Sequence, residues 1–449
     1  MAENSVVGTP IDPAHPPTKA QLEELKAEKG RLSRQIGEAK KSGQSADGLI
    51  AQLKQVSDDL KTLQKAHKKS LNQTDDSRPE AQVTTAAPPF IRSADVRSAD
   101  KISVQDVVSD PRDNASMSAW DRYVDEHPAG TPYHRLGIRQ FIETTYGHQT
   151  RYLFARGAKG QVVGVLPLVQ LRSRLFGNFV VSVPYFNYGG VLADSSEVAE
   201  RLVDEASAWA ESLGASHVEL RHLDASKLDL PARTDKVTFW LDLPKKPEEL
   251  WSQFRPKLRA QIRRAEREEP ECHIGGLELL DDFYDVFAAN MRDLGTPVYG
   301  KRFFRDLIEQ SGLSAWLVVV KLNGEPCGCA FLLGYRGRME IPWASTLRKF
   351  NATGINMFMY WRVLEFAIEQ GFRLFDFGRC SEEAGTYRFK RQWGAEPVPM
   401  RWDYKMAPDT PLPGLNPHNP KFMLLIAIWQ RLPVWLTRIL GPNIVKSLP

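Results

Sequence analysis

Apolar positions divide the chain into stretches of different period. Leu22, Leu25, Leu32 and Ile36 follow one another at spacings of 3, 7 and 4, and Leu49, Leu53, Val56, Leu60 and Leu63 at 4, 3, 4 and 3. Both series lay one apolar stripe along a helix, the second in heptad spacing. The polar turn Lys41-Ser42-Gly43-Gln44-Ser45 separates them, so the pattern predicts an antiparallel helical hairpin, or short coiled coil, over residues 21–66. Residues 1–20 hold four Pro and no period and are expected to be a disordered lead. Residues 67–103, rich in Ser, Thr, Asp and Pro, read as a linker.

Strand-like runs begin near Val104 and continue to about Lys405, and their order repeats. An apolar strand from Gln161 to Leu171 precedes a helix carrying Ala206, Trp209 and Ala210; Leu213-Gly214 ends it, and His217-Val218-Glu219-Leu220-Arg221 follows as a strand. Further on, strands at Trp316–Lys321 and Glu325–Gly334 flank an Asn323-Gly324 hairpin turn. A helix from about Asn356 to Glu369 stops at Gly371, and the strand Arg373–Arg379 comes next. Both halves end as amphipathic helix, Gly cap, short strand and arginine. The reading is an α/β chain with a duplicated unit, one copy over 104–245 and the other over 246–406. Residues 407–449 form a Pro-rich segment and then an amphipathic tail, with Trp429 and Trp435 among apolar residues and Arg431 and Arg438 alongside.

Composition narrows the classes. The 449 residues carry 59 Lys and Arg against 55 Asp and Glu, a net charge of +4, which excludes a uniformly basic nucleic-acid module. With 42% hydrophobic residues a large core can form. Four cysteines, Cys272, Cys327, Cys329 and Cys380, exclude a disulfide scaffold and show no C-x-x-C pair; Cys327 and Cys329 are expected on one strand face. There is no run of 18 apolar residues for a membrane span and no apolar stretch after a basic start for a secretory signal, so a cytoplasmic protein is expected. The G-x-S-x-G, Walker and H-E-x-x-H patterns are missing, and no metal is expected.

Candidate chemistry gathers in five places. Asp376-Phe377-Gly378-Arg379 leading to Tyr387-Arg388-Phe389-Lys390 puts charged and aromatic residues after a strand end. Arg348 through Gly354 into Asn356 places a basic loop at a helix N-terminus, where free N–H groups suit phosphates. Val183–Gly190, containing Asn187 and Tyr188, ends in paired glycines that either admit a ligand or close a tight turn. The loop Asp293–Arg302 brings Tyr299 and Arg302 between two helices. The run Arg255–Arg267 is basic and reads either as an RNA or acidic-lipid contact or as a solvated helix face.

The stretches Val183–Gly190, Met291–Phe304 and Asp376–Lys390 resemble the FemAB-like proteins of the GNAT acyltransferase superfamily, in particular the subgroup associated with exosortase (PEP-CTERM) and exopolysaccharide loci. The resemblance spans about Trp120 to Tyr404 and extends into the tail Asn416–Phe422. It implies tandem GNAT-like domains behind the N-terminal antiparallel helical hairpin. It implies direct transfer of an acyl or aminoacyl group, without a covalent enzyme intermediate, onto an amine of a cell-envelope, peptidoglycan or exopolysaccharide precursor. The donor is a substrate, acyl-CoA or aminoacyl-tRNA, and no cofactor is permanently bound. By the resemblance, Phe389 and Lys390 lie where donor meets acceptor; Lys390 polarises the carbonyl, Arg379 and Asp376 position the acceptor, and Tyr299, Arg302, Tyr387, Asn187, Tyr188 and Trp343 shape its pocket. Arg348, Gly354 and Asn356 face the donor. The hairpin resembles the tRNA-binding arm of seryl-tRNA synthetases, although peptidoglycan-modifying members that carry a hairpin have it inside the catalytic region. Residues 21–66 thus bind tRNA or a coiled-coil partner, and residues 421–440 are expected either to touch the inner membrane face or to pack on the core. The rival reading is a non-catalytic scaffold that recruits envelope export or polysaccharide machinery through the hairpin and tail.

Overall fold

The computed structural model describes residues 28–33, 35–39, 45–74, 87–93, 102–106, 114–223, 228–382, 384–407, 410–413 and 420–448. The chain divides into two compact units, 1–84 and 85–449. In the first, residues 28–33 and 35–39 are helical and a second helix spans Asp47–Thr74. Leu32 and Leu60 of the two apolar stripes are buried. The second helix runs past the expected end at 66 because nothing stops it: the first proline after Leu60 is Pro79. Leu22, Leu25, the lead 1–20 and turn residues 41–44 lie outside the described residues.

The second unit repeats one order of elements. Its first half runs β1 (Ile91–Ser93), β2 (Ser103–Asp106), helices Asn114–Glu126 and Leu136–Tyr146, then β3 (Thr150–Arg156), β4 (Val162–Ser173), β5 (Gly177–Val181) and β6 (Leu192–Ser195). Helix Ser196–Ser212, β7 (His217–Leu223), β8 (Ala232–Arg233) and β9 (Lys236–Asp242) complete it. After short helices Pro247–Gln253 and Pro256–Glu266, the second half runs β10 (Glu271–Gly275), helices Leu280–Leu294 and Lys301–Gln310, β11 (Ser314–Leu322), β12 (Glu325–Tyr335) and β13 (Arg338–Thr346). Helix Ile355–Glu369, β14 (Leu374–Asp376), β15 (Cys380–Ser381), helix Gly385–Arg391 and β16 (Glu396–Met406) follow.

Pairing repeats as well. β2-β3-β4-β5 are antiparallel neighbours and β5 runs parallel to β7; β10-β11-β12-β13 are antiparallel neighbours and β13 runs parallel to β14. The last strand of each half is exchanged. β9 pairs with β14, β16 pairs with β7, and β9 and β16 pair with each other. The sheet is therefore continuous through the two halves, and the order β5-β7-β16-β9-β14-β13 reads as a pseudo-two-fold about its centre. β9 precedes residue 245 in the chain, yet its Phe239 and Leu241 fill the core of the second half. A separate core lies around Trp120, Leu166 and Leu202. A third is built jointly by Phe141 and Phe186 of one half and Phe287 and Phe331 of the other.

Two local expectations are corrected. Cys327 and Cys329 do not share a face: a bulge at Val320/Lys321 adds a residue to β12, so Cys327 enters the second core and Cys329 the shared one. The strand expected over Arg373–Arg379 is only three residues long, because Gly378 turns the chain at φ +72°. The basic run 255–267 forms a helix whose Leu258, Ile262 and Ala265 are buried while its charges face outward. In the tail, helices Pro420–Trp429 and Val434–Val445 form. Thr437, Gly441 and Val445 are buried, and Gly441 sits so close to Val298 that an added Cβ would lie 2.8 Å from its carbonyl oxygen. Met423, Leu424, Leu425, Ile428, Trp435 and Ile439 remain exposed. Among the described residues no helix is long and apolar enough to cross a membrane.

The exchanged strand supplies a stability test. Phe239 is fully buried and its ring meets the edge of Tyr387 at 4.8 Å. Phe239→Ala is expected to cost about 3–5 kcal/mol in urea unfolding of the full chain, and a loss below about 1 kcal/mol would contradict the core position assigned to β9.

Candidate functional site

The two parallel strand pairs open at corresponding places. β5 and β7 stay paired to Val181 and Glu219, β13 and β14 to Glu340 and Asp376, after which each pair diverges. Buried Asp376 fills the fork of the second. Its carboxylate accepts from Thr238 Oγ1 at 2.5 Å, Trp240 Nε1 at 2.9 Å, the Gly378 amide at 2.8 Å and the Tyr188 hydroxyl at 2.7 Å. These donors come from β9, from the turn after β14 and from the loop 183–190, so one carboxylate joins three segments.

Glu340 lies beside it, also buried. It accepts from Tyr133 Oη at 2.6 Å and Asn187 Nδ2 at 3.1 Å, and its Oε2 is 2.9 Å from the Tyr188 hydroxyl. A phenol has one proton. The one Tyr188 proton is thus within reach of both carboxyls, and the buried guanidinium of Arg338 adjoins the same cluster. Burial, followed by the charge of Asp376, pushes the Glu340 carboxyl up to about 7.

In front of this network is a cavity of about 230 Å³ lined by Tyr185, Phe186, Asn187, Arg221, Tyr299, Pro342, Trp343 and Arg379. Five widely separated sequence stretches meet there. Tyr185 is held at φ +72°, a left-handed conformation uncommon for a residue with a bulky side chain. Its hydroxyl donates to the Lys446 carbonyl at 2.7 Å. Tyr299 stacks on Phe303 at 4.4 Å. Arg221 is buried at the end of β7, tied to Glu219 and to the carbonyls of Val183 and Phe186. Arg379 opens onto the cavity, with its guanidinium 4.8 Å from the Trp402 ring; Arg221 sits 4.3 Å from the same ring. Arg379 is exposed at the cavity.

Of the residues expected at the site, Asn187, Tyr299, Trp343 and Arg379 line the cavity together. Tyr188 and Asp376 stand behind it in the buried network. Lys390 is buried as well: its ammonium donates to the carbonyls of Gly378 at 2.5 Å and Arg379 at 3.1 Å, clamping the turn that carries Arg379. Burial pushes it down to about 8. Tyr387 and Phe389 pack against Phe239 and Tyr360 of the second core, which explains aromatics on an otherwise charged segment. Arg302 is apart from the cavity, paired with Asp306 and donating to the Thr144 carbonyl. The Val183–Gly190 loop serves both readings given above: Phe186 stacks on Tyr133 at 4.3 Å in the core, while Asn187 faces the cavity. At Gly190 an added Cβ would lie 2.3 Å from the His222 ring, so its bare backbone answers to packing.

Arg221 and Trp402 are absent from the sequence-based set. The available signal was His217–Arg221 ending in arginine just as Arg373–Arg379 does. Trp402 carried no local signal, since strand exchange alone brings it to Arg221. The donor-side candidates sit beyond β13. A 3₁₀ turn, Arg348–Thr353, leads through Gly354 at φ +82° into helix Ile355–Glu369, whose first turn has no side-chain cap. The Met357 amide turns back to the Gly354 carbonyl at 2.8 Å, and the amides of Ile355 and Asn356 ahead of it have no side-chain cap. Arg348 is exposed and donates to the Asp293 carbonyl at 2.8 Å; Asn356 is half-buried in that first turn.

Residues 252–391 match the family model of an acetyltransferase (GNAT) domain, and residues 13–77 match that of the seryl-tRNA synthetase N-terminal domain. The acetyltransferase match thus falls within the second half of the repeated α/β unit. Solved structures similar to it include FemX, at 15% identity over 67% of this chain and 96% of that one, with a TM-score of 0.49. L-PGS from Bacillus licheniformis is 16% identical over 74% and 97%, with a TM-score of 0.44. A tandem GNAT protein from the clavulanic acid biosynthesis pathway is 13% identical over 70% and 100%, with a TM-score of 0.45. No curated protein sequence matches the chain.

The Glu340 proton makes a signed prediction. Its folded value near 7 lies above the ordinary 4.5. The folded state therefore keeps a proton that the unfolded chain has released, and stability is full below pH 4.5 and falls as pH rises to 7. Over that window this group removes up to about 1.4 kcal/mol per pH unit. Glu340→Gln is expected to flatten that decline in denaturant melts at pH 5 and pH 7; an unchanged pH dependence would count against the shared-proton arrangement.

Proposed function

We propose that the cavity between the forks is where an amine acceptor meets an activated acyl group, making the chain an N-acyl or aminoacyl transferase. The observation that carries this reading is the convergence of Asn187, Tyr299, Trp343 and Arg379 on one cavity beside the splayed β13/β14 pair. In the reaction the acceptor nitrogen attacks the acyl carbonyl, a C–N bond forms, and the C–S bond of a thioester or C–O bond of an ester breaks. The leaving thiolate or alkoxide takes up the proton that the amine releases, and no covalent enzyme intermediate is involved.

Arg379 positions the acceptor, and Tyr299 and Trp343 wall it in. Asp376 and Tyr188 hold the loops that carry these groups. Lys390, with two N–H donors on backbone carbonyls, keeps one for the developing oxyanion of the acyl carbonyl. Donor phosphates fit the uncapped start of helix Ile355–Glu369 beside Arg348, Gly354 and Asn356. This loop suits acyl-CoA; the likeness of residues 13–77 to a seryl-tRNA synthetase domain favours aminoacyl-tRNA. The acceptor proposed is an amine of a cell-envelope or exopolysaccharide precursor. The exposed apolar face of the tail, with Arg431 and Lys446 nearby, suits work at the inner face of a membrane.

Purified full-length protein incubated with cell extract and, separately, acyl-CoA or aminoacyl-tRNA should add the acyl mass to a precursor amine, read by mass spectrometry. One donor arm is expected to give product, which identifies the donor; silence in both would refute the transferase reading. Lys390→Ala should lower turnover by about 10²-fold, and near-normal turnover would remove Lys390 from the carbonyl.

A further inference from the structure

We infer that the Arg379 guanidinium, with Arg221 lining the cavity beside it, forms an oxyanion subsite that binds a carboxylate or phosphate group of the acceptor. This rests on the transferase reading and adds what the acceptor must carry besides its amine. The two arginines are unlike in their surroundings. Arg221 is buried, bonded to Val183 and Phe186 carbonyls, and paired with Glu219 at 2.7 Å. Glu219 in turn accepts from Tyr404 Oη at 2.9 Å. The Arg221 charge is therefore answered within the protein.

Arg379 is answered only at longer range, by the charges of Glu219 and Asp235. Among the described residues its guanidinium has no hydrogen-bond or ion-pair partner; its one described contact is the face of Trp402 at 4.8 Å. A like charge, Arg221, lies 4.3 Å from the centre of the same ring. Five fixed N–H donors and a net positive charge thus face a cavity of about 230 Å³, which holds much more than one water. Arginine's planar fork matches the paired oxygens of a carboxylate or phosphate, and stacking on an aromatic ring pre-orients it. The Gly378 and Arg379 carbonyls are held from behind by Lys390, so the turn presents the guanidinium in one direction. The remaining lining is compatible with an anion: Asn187, Tyr185, Tyr299, Phe186, Pro342 and Trp343 include no carboxylate. Glu340 lies behind Asn187, and its burial beside Asp376 favours the uncharged form.

The test measures binding alone, without acyl donor or acceptor. Full-length protein is titrated with inorganic phosphate and pyrophosphate in one arm and with acetate and glutarate in the other, at constant ionic strength. Tryptophan fluorescence reports, because Trp343 and Trp402 flank the site. At least one arm should saturate, which tells phosphate from carboxylate. Arg379→Gln should weaken that binding about tenfold or more, the scale of a lost charge-assisted hydrogen bond, while Arg201→Gln on a distant helix leaves it unchanged. If Arg379→Gln fails to fold, Arg379→Lys decides by the same criterion, since it keeps the charge and loses the fork. Saturation in neither arm, or equal binding in wild type and the Arg379 variant, overturns the subsite. Arg379-dependent binding by a protein that transfers no acyl group would leave the subsite standing and remove the transferase reading instead.

Discussion

Asp376 is the constraint on which the rest of the structure depends. A carboxylate at that depth survives only if every acceptor position is filled, and its four donors come from β9, the turn after β14 and loop 183–190. Satisfying it places the exchanged strand against its partner and brings Asn187 and Tyr188 to the second fork. It also sets the turn at Gly378 from which Arg379 projects. Loss of the aspartate would leave Thr238, Trp240 and Tyr188 with buried unmatched donors, so the site and the fold share one weak point.

The pseudo-two-fold arrangement explains why the cavity contains one arginine from each half. Each parallel pair opens beyond its last paired residue, and each carries an arginine just past the opening. Exchange of β9 and β16 sets the two openings face to face across Trp402. The halves then diverge in chemistry. Arg221 is paired with Glu219 at 2.7 Å, whereas among the described residues Arg379 makes no ion pair. A duplicated frame has kept one arginine as structure and left the other free to bind.

The acid network and the cavity are distinct in their electrostatics although they touch. Behind Asn187, two carboxyls and two phenols are buried together beside the Arg338 guanidinium; in front of it, a cation is exposed. Keeping Glu340 protonated removes a negative charge that would otherwise compete for Arg379. Protonation of Glu340, favoured below about pH 7, and anion binding in the cavity are thereby physically compatible.

Periodicity determined much of this protein locally. The heptad stripes marked Leu32 and Leu60, the helix–Gly–strand repeat marked Ser196–Leu223 and Ile355–Asp376, and the charged aromatic run marked Arg379. Such features depend on neighbours in sequence, so they can be read there. Tertiary structure alone decided which residues face the cavity. Strand exchange pairs β16 with β7 over a separation of about 180 residues, and no local pattern encodes that partner. For the same reason no local pattern points to Trp402, the burial of Asp376 and Lys390 emerges only in the folded chain, and Arg302 finds its partner in Asp306. A charged side chain looks the same in sequence whether it binds a ligand or a carbonyl; only its assembled surroundings determine which.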